Sequence, residues 1–228
     1  MKGLCLLAMG LLFAPALRAQ SPYAATFVDG FTVKTKADCF AGAPEGEVAD
    51  FQDKLRGQIA LLNRELPADK LARLKRVPIY VHRGEYRAYG AVHHPSREWL
   101  LEHHYPAEMA NSVEICHWQE FRALVTYQPA CLLHEYAHAW HFLAPGMNQL
   151  IRPAYQHALK AGLYTSVAYV RPPSPRKGYA LENEKEYFAE LSEAYFARND
   201  FFPFTREELK AYDPAGYAMI ERVWGVAR

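Results

Sequence analysis

The segment from 129 to 143 constrains the fold most, because almost all of its side chains are apolar. Its spacing predicts a helix, on which His134, His138 and His141 form one polar stripe. A helix that is apolar on nearly every side is buried within its domain. The rest of the chain must therefore fold around this helix. The buried imidazoles also need partners, because an unpaired buried polar group costs about 1–3 kcal/mol.

The same segment contains the pattern His-Glu-Tyr-Ala-His, which has the form HExxH. His134 and His138 are one helical turn apart, so both imidazoles project from one face and can bind one zinc ion. Glu135 points about 100° away, which excludes it as a third ligand from this helix. Its carboxylate can instead take a proton from a water activated by the metal. The pattern predicts His134 and His138 as metal ligands and Glu135 as the general base.

A zinc site requires a third ligand, and the nearby histidines are poor candidates. His141 lies seven residues after His134, about 10.5 Å along a straight helix, which is too far for one ion. The pattern HExxHxxGxxH does not apply either, because Ala144 stands where the last histidine would be. The pairs His93-His94 and His103-His104 can reach the site only through loops, where such pairs commonly lie on the surface.

A better third ligand lies in the predicted helix 183–197. There Glu186, Glu190 and Glu193 form a narrow acidic stripe between aromatic side chains. Such a stripe either faces water, with Asn183 and Glu186 forming only a capping box, or faces a cation. The aromatic flanks indicate a buried helix and favour the cation. We therefore predict that Glu186 binds zinc and that Glu190 accepts the N–H of a ligand histidine.

At these residues the chain resembles the zinc metallopeptidases related to the catalytic domain of anthrax toxin lethal factor and to the Pro-Pro endopeptidases. The resemblance rests on HEYAH and on YALENEKEYFAE, in which Tyr179 precedes Glu186 by seven positions. It implies a zincin-like peptidase that binds one zinc ion through His134, His138 and Glu186. Glu135 would be the base, and Tyr179 would stabilise the oxyanion.

The resemblance covers about residues 129 to 197, and residues 27 to 128 carry no motif that matches the family. We expect an exposed edge strand near 87–92 or 112–116 to hold a peptide or protein substrate as an added strand. Two other functions stay open: a different zinc hydrolase, such as an amidase of cell-wall peptides, and a metal-binding module without activity. The intact Glu135 argues against the second, because a binding module needs no base between two histidines.

The first 19 residues have the pattern of a secretory signal peptide, with Lys2, an apolar run and small residues before Gln20. We prefer cleavage after Ala19, and cleavage after Ala16 stays open. The pattern predicts a secreted or periplasmic protein. No later segment is long and apolar enough to span a bilayer. The chain is nearly neutral, with a formal net charge of +1, which argues against a nucleic-acid partner.

Three cysteines follow the signal peptide, so at most one disulfide can form within the chain. Cys131 lies on the apolar helix, where a buried free thiol is expected. We therefore predict that Cys39 pairs with Cys116, as the oxidising compartment allows.

The predicted elements place strands early and helices late, which is typical of an α+β fold. We predict one zincin-like catalytic domain over residues 20–228, with a small N-terminal sheet followed by a mainly helical half. The turn at Asp29-Gly30 indicates a hairpin over 27–34. Further strands are predicted at 77–81, 87–92 and 112–116, helices at 47–66, 129–143, 148–161 and 183–197, and a loop at 171–175. A capping box at 205–208 opens a short helix, and Asp213-Pro214 opens the last one.

Overall fold

The computed structural model describes residues 21–87 and 89–226, so the predicted signal peptide lies outside the described residues. The fold is α+β, as predicted, with a small five-stranded sheet in the N-terminal half and a helical C-terminal half. The strands are β1 (Tyr23–Val28), β2 (Phe31–Lys36), β3 (Ile79–Val81), β4 (Ala91–His94) and β5 (Ser112–Ile115).

The described part of the chain contains nine α-helices. They are α1 (Glu45–Glu65), α2 (Ala68–Leu74), α3 (Arg97–Glu102), α4 (Trp118–Tyr127), α5 (Cys131–Leu143), α6 (Met147–Lys160), α7 (Glu184–Phe196), α8 (Arg206–Tyr212) and α9 (Pro214–Trp224). Short 3₁₀ turns lie at Ala107–Met109 and Tyr179–Leu181. Within the described part of the chain, no helix combines the length and apolar character needed to cross a membrane.

The strand order is β1-β2-β3-β5-β4, with parallel pairs between β2 and β3 and between β3 and β5. The hairpin of β1 and β2 is confirmed, and Asp29 and Gly30 at its turn both have positive φ. β4 lies at an edge, although it begins four residues later than the predicted strand at 87–92. The expectation of an edge at 112–116 is wrong, because β5 pairs with β3 on one side and β4 on the other.

The two faces of the sheet have different chemistry. One face carries Ile79, Val81, Val113 and Ile115, which are fully buried in the main hydrophobic core with α1 and α5. Side chains alternate along a strand, so Glu114 lies on the other face, beside the smaller cluster of Tyr23, Tyr80, Leu100 and Met109.

Helix α5 lies at the centre of the helical half, as its apolar sequence predicts. It packs against α1, α2, α7 and β4. The hydroxyl of its buried Tyr136 donates to the carbonyl of Val77, 2.8 Å away, which ties the helix to the segment before β3. The histidine-bearing face is therefore fixed relative to the sheet.

Helix α7 is held beside α5 by contacts at its start and its middle. The Asn183 side chain caps the helix by accepting from the N–H groups of Lys185 and Glu186. The hydroxyl of Tyr187 donates to buried Asp213 at 2.6 Å, which joins α7 to the start of α9. These contacts fix the direction in which Glu186 points.

Three helices were not predicted from the sequence: α2, α3 and α4. α2 and α3 have only seven and six residues, too few to show a helical period. They are stabilised by tertiary burial of Leu71 and Leu74 in α2 and of Leu100 in α3. Tertiary packing therefore made these segments helical, because short helices are only marginally stable on their own.

The predicted disulfide between Cys39 and Cys116 is wrong, because both side chains are free buried thiols, as is Cys131. Burial raises the pKa of all three thiols, that of Cys39 to about 12. The charges that act most on the pKa of Cys39 belong to Glu85 and Asp38, whereas those that act most on the pKa of Cys116 belong to Glu114 and Arg87. The two thiols therefore face different surroundings, and neither is the other's partner.

Candidate metal centre

Helices α5 and α7 bring together the three predicted metal ligands. The Nε2 atoms of His134 and His138 lie 3.0 and 3.2 Å from the same carboxylate oxygen of Glu186. All three side chains offer one ligand atom within 4.8 Å of the others. Two imidazoles and one carboxylate are the ligand set of many catalytic zinc sites, which keep a fourth position open. The residues present therefore fit a zinc ion.

Behind this group, His134 is held by a carboxylate from the next turns of α7. Its Nδ1 lies 2.7 Å from an oxygen of Glu193, but 3.7 Å from the nearest oxygen of Glu190. The prediction that Glu190 makes this contact is therefore wrong, because Glu190 turns toward the side-chain amide of Asn199 and accepts from it. The Glu193 contact favours a proton on Nδ1 and leaves Nε2 for a metal.

A second group of possible ligands shares the same histidine. Glu190, Glu193 and the ring of His134 also offer atoms within 4.8 Å of one another, and all three are buried. This group uses Nδ1 of His134, on the side away from His138. Both groups are compatible with a cation on geometry alone.

The charges in the first group depend on each other. Burial opposes charge on the His134 ring, but hydrogen bonds to Glu186 and Glu193 raise its pKa well above the usual range. Burial likewise raises the pKa of Glu186, but its contacts with His134 and His138 outweigh that effect and lower it. These contacts favour a proton on the imidazole, and a cation bound at the same point would displace it.

Glu135 faces the edge strand of the sheet. One of its oxygens accepts the backbone N–H of His93 in β4 at 2.7 Å, and only 8% of the residue is exposed. Burial raises the pKa of this carboxyl, against the opposing charges of His138 and His134. A carboxylate with a raised pKa is suited to accept and return a proton near neutral pH.

Two histidine pairs were predicted to lie on the surface, and only one of them does. His103 and His104, at the end of α3, are exposed. The prediction for His93 and His94 is wrong, because both belong to β4 and are buried. His93 faces α5, whereas His94 faces the opposite side of the sheet, where its Nε2 lies 2.8 Å from Glu114. Only the tertiary pairing of β4 shows that they are not loop residues.

Tyr179 lies beside the ligand group, in the 3₁₀ turn directly before α7. Its ring centroid is 6.3 Å from that of His134, and 44% of the residue is exposed. Burial, and then the charge of Glu186, raise the pKa of its hydroxyl, which keeps it protonated and able to donate. Among the described residues, none forms a hydrogen bond with this hydroxyl.

His141 is separate from the ligand group, as the helix spacing predicts. Its Nε2 lies 2.5 Å from the side-chain oxygen of Asn148, at the start of α6. Burial lowers the pKa of this imidazole. It is therefore a neutral ring at the rim of the site and not a fourth ligand.

The ligand group opens onto a cleft of about 800 Å³. Its walls are formed by β4, α5, the start of α7 and the loop between α6 and α7. Glu135, Tyr179 and the outer edge of β4 all line it. The cleft is large enough to receive several residues of an extended peptide.

Comparisons of the chain with models of protein families, with curated proteins and with solved structures found no match. The function must therefore be argued from the geometry of the site itself.

Proposed function

We propose that this protein is a zinc-dependent metallopeptidase with a zincin-like catalytic domain. The observation that carries the proposal is the convergence of His134, His138 and Glu186 on one point at the wall of an open cleft. Glu135 lies next to that point, and Tyr179 lies across from it. This is the arrangement that hydrolysis of a peptide carbonyl requires.

The open group is a better zinc site than the buried group of His134, Glu190 and Glu193. His138 and Glu186 are 15% and 18% exposed, so a substrate can approach an ion bound there. In the buried group, the side chains of Glu190 and Glu193 are 2% and 0% exposed, which leaves no access for a substrate. The contact from Glu193 then supports the ligand His134 from behind.

The edge strand β4 supplies the means to align a peptide. The carbonyl of Gly90 accepts from the N–H of Cys116, just after β5, and that of His94 accepts from the N–H of Asn111, just before β5, so the backbone groups of these residues face the sheet. Ala91 and His93 alternate with them, so their backbone groups face away from β5. The N–H of His93 is taken by Glu135, which leaves the backbone of Ala91 and the carbonyl of His93 to pair with a substrate. A substrate that pairs with this edge as an added antiparallel strand is carried past Glu135.

Zinc bound by these three side chains would polarise the peptide carbonyl and acidify a water molecule. Glu135 takes the proton of the attacking water and delivers it to the departing amine, with the N–H of His93 keeping the carboxylate in place. Tyr179 donates its hydroxyl to the oxygen that becomes negative in the transition state. Peptides or proteins outside the cytoplasm are the expected substrates, since the predicted signal peptide directs the chain there.

Metal analysis of the purified protein tests the proposal. We expect close to one zinc per chain, loss of that zinc in Glu186→Ala, and normal zinc in the control variant His141→Ala. His141 is the matched control because it shares the stripe of α5 but binds Asn148 instead. Normal zinc in Glu186→Ala would refute the ligand assignment, and a lack of chelator-sensitive peptide hydrolysis by the zinc-loaded protein would refute the peptidase.

A further inference from the structure

Arg176 is an unusual feature of the cleft wall, because its guanidinium lies against two aromatic rings. Its backbone N–H and carbonyl both bond to Val167 at 2.9 Å, which fixes the loop before α7. The guanidinium carbon lies 3.6 Å from the ring centroid of Tyr169 and 4.8 Å from that of Phe201. Those two rings stack on each other at 4.4 Å. The side chain is therefore ordered before any ligand arrives.

The guanidinium of Arg176 has no acceptor in the described part of the chain. No carboxylate lies within 4.0 Å of it, although Arg152 pairs with Glu184 and Arg122 with Glu47 and Asp50. Arg176 is half-buried and lines the same cleft as His134 and Glu135. An arginine carries five N–H donors in a planar fork that matches a carboxylate. These donors are left for a group that enters the cleft.

The nearest acidic residue in this part of the cleft does not compensate the charge. Asp200 adjoins Phe201 and lines the cleft, but it is 5% exposed and lies beyond ion-pair distance of Arg176. Burial, and then the charge of Glu193, raise the pKa of Asp200 to about 7, whereas Arg176 acts to lower it. Because Asp200 forms no ion pair with Arg176, the N–H donors of the guanidinium stay free for a ligand.

A second arginine extends the positive region. Arg171 lies 4.3 Å from the ring centroid of Tyr127, in a hollow of about 440 Å³ that adjoins the cleft and shares Tyr89 and Gly90 with it. Burial raises the pKa of the Tyr169 hydroxyl, while Arg176 and Arg171 both oppose that rise. Both guanidiniums thus lie near the same end of the cleft.

The direction of the edge strand assigns this end to one side of the cleaved bond. A peptide that pairs antiparallel to β4, as proposed above, has its N-terminal residues at the His94 end of the strand and its C-terminal residues at the Gly90 end. Gly90 borders the hollow that contains Arg171. The positive region therefore meets residues that follow the cleaved bond.

We infer that Arg176, supported by Arg171, forms a subsite that binds a carboxylate of the substrate on the C-terminal side of the cleaved bond. This inference rests on the proposed peptidase function. The carboxylate is either an Asp or Glu side chain or the free C-terminus of a short peptide. Both present the same planar anion to the guanidinium.

Binding to the zinc-loaded Glu135→Gln protein tests this subsite without turnover. The probes are pools of hexapeptides in which one position is Asp or Glu, or its neutral counterpart Asn or Gln. Each pool is made with a free and with an amidated C-terminus. We expect the acidic pools, or the free-acid pools, to bind about 10- to 100-fold tighter than their neutral partners.

Variants of this protein then locate the preference. Adding Arg176→Gln should reduce the ratio of the affinities for acidic and neutral pools to about one. Arg176→Lys should give an intermediate ratio, because lysine keeps the charge but lacks the planar fork of N–H donors. Arg198→Gln is the matched control, because Arg198 also lies over a ring, that of Phe204, but does not line the cleft. It should keep the full preference. Loss of the preference on amidation alone would identify the chain end as the carboxylate.

Equal binding of acidic and neutral pools, or a preference that survives in Arg176→Gln, would overturn the subsite. Digestion of the same pools by the protein with Glu135 intact separates this result from the peptidase proposal. Cleavage without an acidic preference leaves the peptidase and removes the subsite. Acid-dependent binding without cleavage leaves a carboxylate site at Arg176, but removes both the peptidase and the placement of that site after a cleaved bond.

Discussion

Among the described residues, two clusters of histidine and glutamate lie on opposite faces of the sheet, and they differ in how completely their polar atoms are hydrogen-bonded. Around Glu114, one oxygen binds His82 Nδ1 at 2.7 Å and the other binds His94 Nε2 at 2.8 Å. The second nitrogen of His82 is bonded to the hydroxyl of Tyr23. Glu114 is fully buried, and this cluster is closed to solvent.

The cluster around Glu186 uses the same residue types but is open. There two imidazole nitrogens point at a single carboxylate oxygen, and the group lies on a cleft wall. In the part of the chain that is described, only the groups built on His134 bring three ligand atoms within 4.8 Å. The comparison teaches that residue type does not define a site. A binding site is indicated where ligand atoms converge on one accessible point. Buried polar groups that are all hydrogen-bonded to one another indicate a structural role.

The sharpest test of this difference is Glu135→Gln. Since the carboxylate is the proposed base, we expect turnover to fall about 10²- to 10⁴-fold. Zinc content and thermal stability should stay near the wild-type values, because the amide oxygen can still accept from the N–H of His93. Steady-state peptide hydrolysis and metal analysis measure the two effects. Wild-type turnover in this variant would contradict the assignment of the base.

Glu114→Gln should instead lower stability and leave turnover nearly unchanged. Loss of one buried partner leaves the imidazoles of His82 and His94 poorly paired, and we expect a loss of about 3–5 kcal/mol in the free energy of unfolding. Turnover per folded molecule should change little. Urea unfolding, with activity measured in the folded baseline, distinguishes these outcomes. A stable but inactive variant would show that the closed cluster takes part in catalysis.

The same variant gives a pH signature. Burial raises the pKa of Glu114, but hydrogen bonds to His82 and His94 outweigh this and lower it below its usual 4.5. The stabilisation is therefore present above about pH 4.5 and is lost as the pH falls toward the pKa of the folded state. Wild-type stability should fall more steeply than that of Glu114→Gln in this acid range.

Tyr179→Phe should have a smaller effect than Glu135→Gln and act on the same step. Removal of one oxyanion donor typically lowers turnover about 10²- to 10³-fold. KM and zinc content should change little, because the contact strengthens only in the transition state. Steady-state kinetics on one peptide measures this. An unchanged rate would show that Tyr179 is only a residue of the turn before α7.

The smallest effect is expected from Glu193→Gln, which removes the charge behind His134. Replacement of such a supporting carboxylate typically weakens metal binding about 10- to 100-fold. Competition with a chelator of known affinity measures the change. Glu190→Gln is the matched control, because its nearest oxygen is 3.7 Å from the ring, against 2.7 Å for Glu193. Equal effects in the two variants would show that no single carboxylate supports the histidine.

Local pattern was sufficient to predict part of this molecule. The apolar run of α5, the HExxH spacing and the acidic stripe of α7 are properties of single helices, and the helical period of 3.6 residues places their side chains without further information. The hairpin at Asp29-Gly30 and the capping box at Thr205 are equally local. These elements formed as predicted, and the three proposed ligands meet.

Contacts between distant segments were decided only by the tertiary structure. Glu193 and not Glu190 binds His134 because of the way α7 packs on α5, and a helical period cannot distinguish two residues of one stripe. β4 is the edge strand because β5 lies between it and β3, which no local pattern reports. Arg176 reaches the cleft because its loop pairs with Val167 and its guanidinium stacks on Phe201, a residue 25 positions later. The sequence by itself determined which side chains share a helix face, whereas long-range packing decided which faces meet and which polar groups are left open to a ligand.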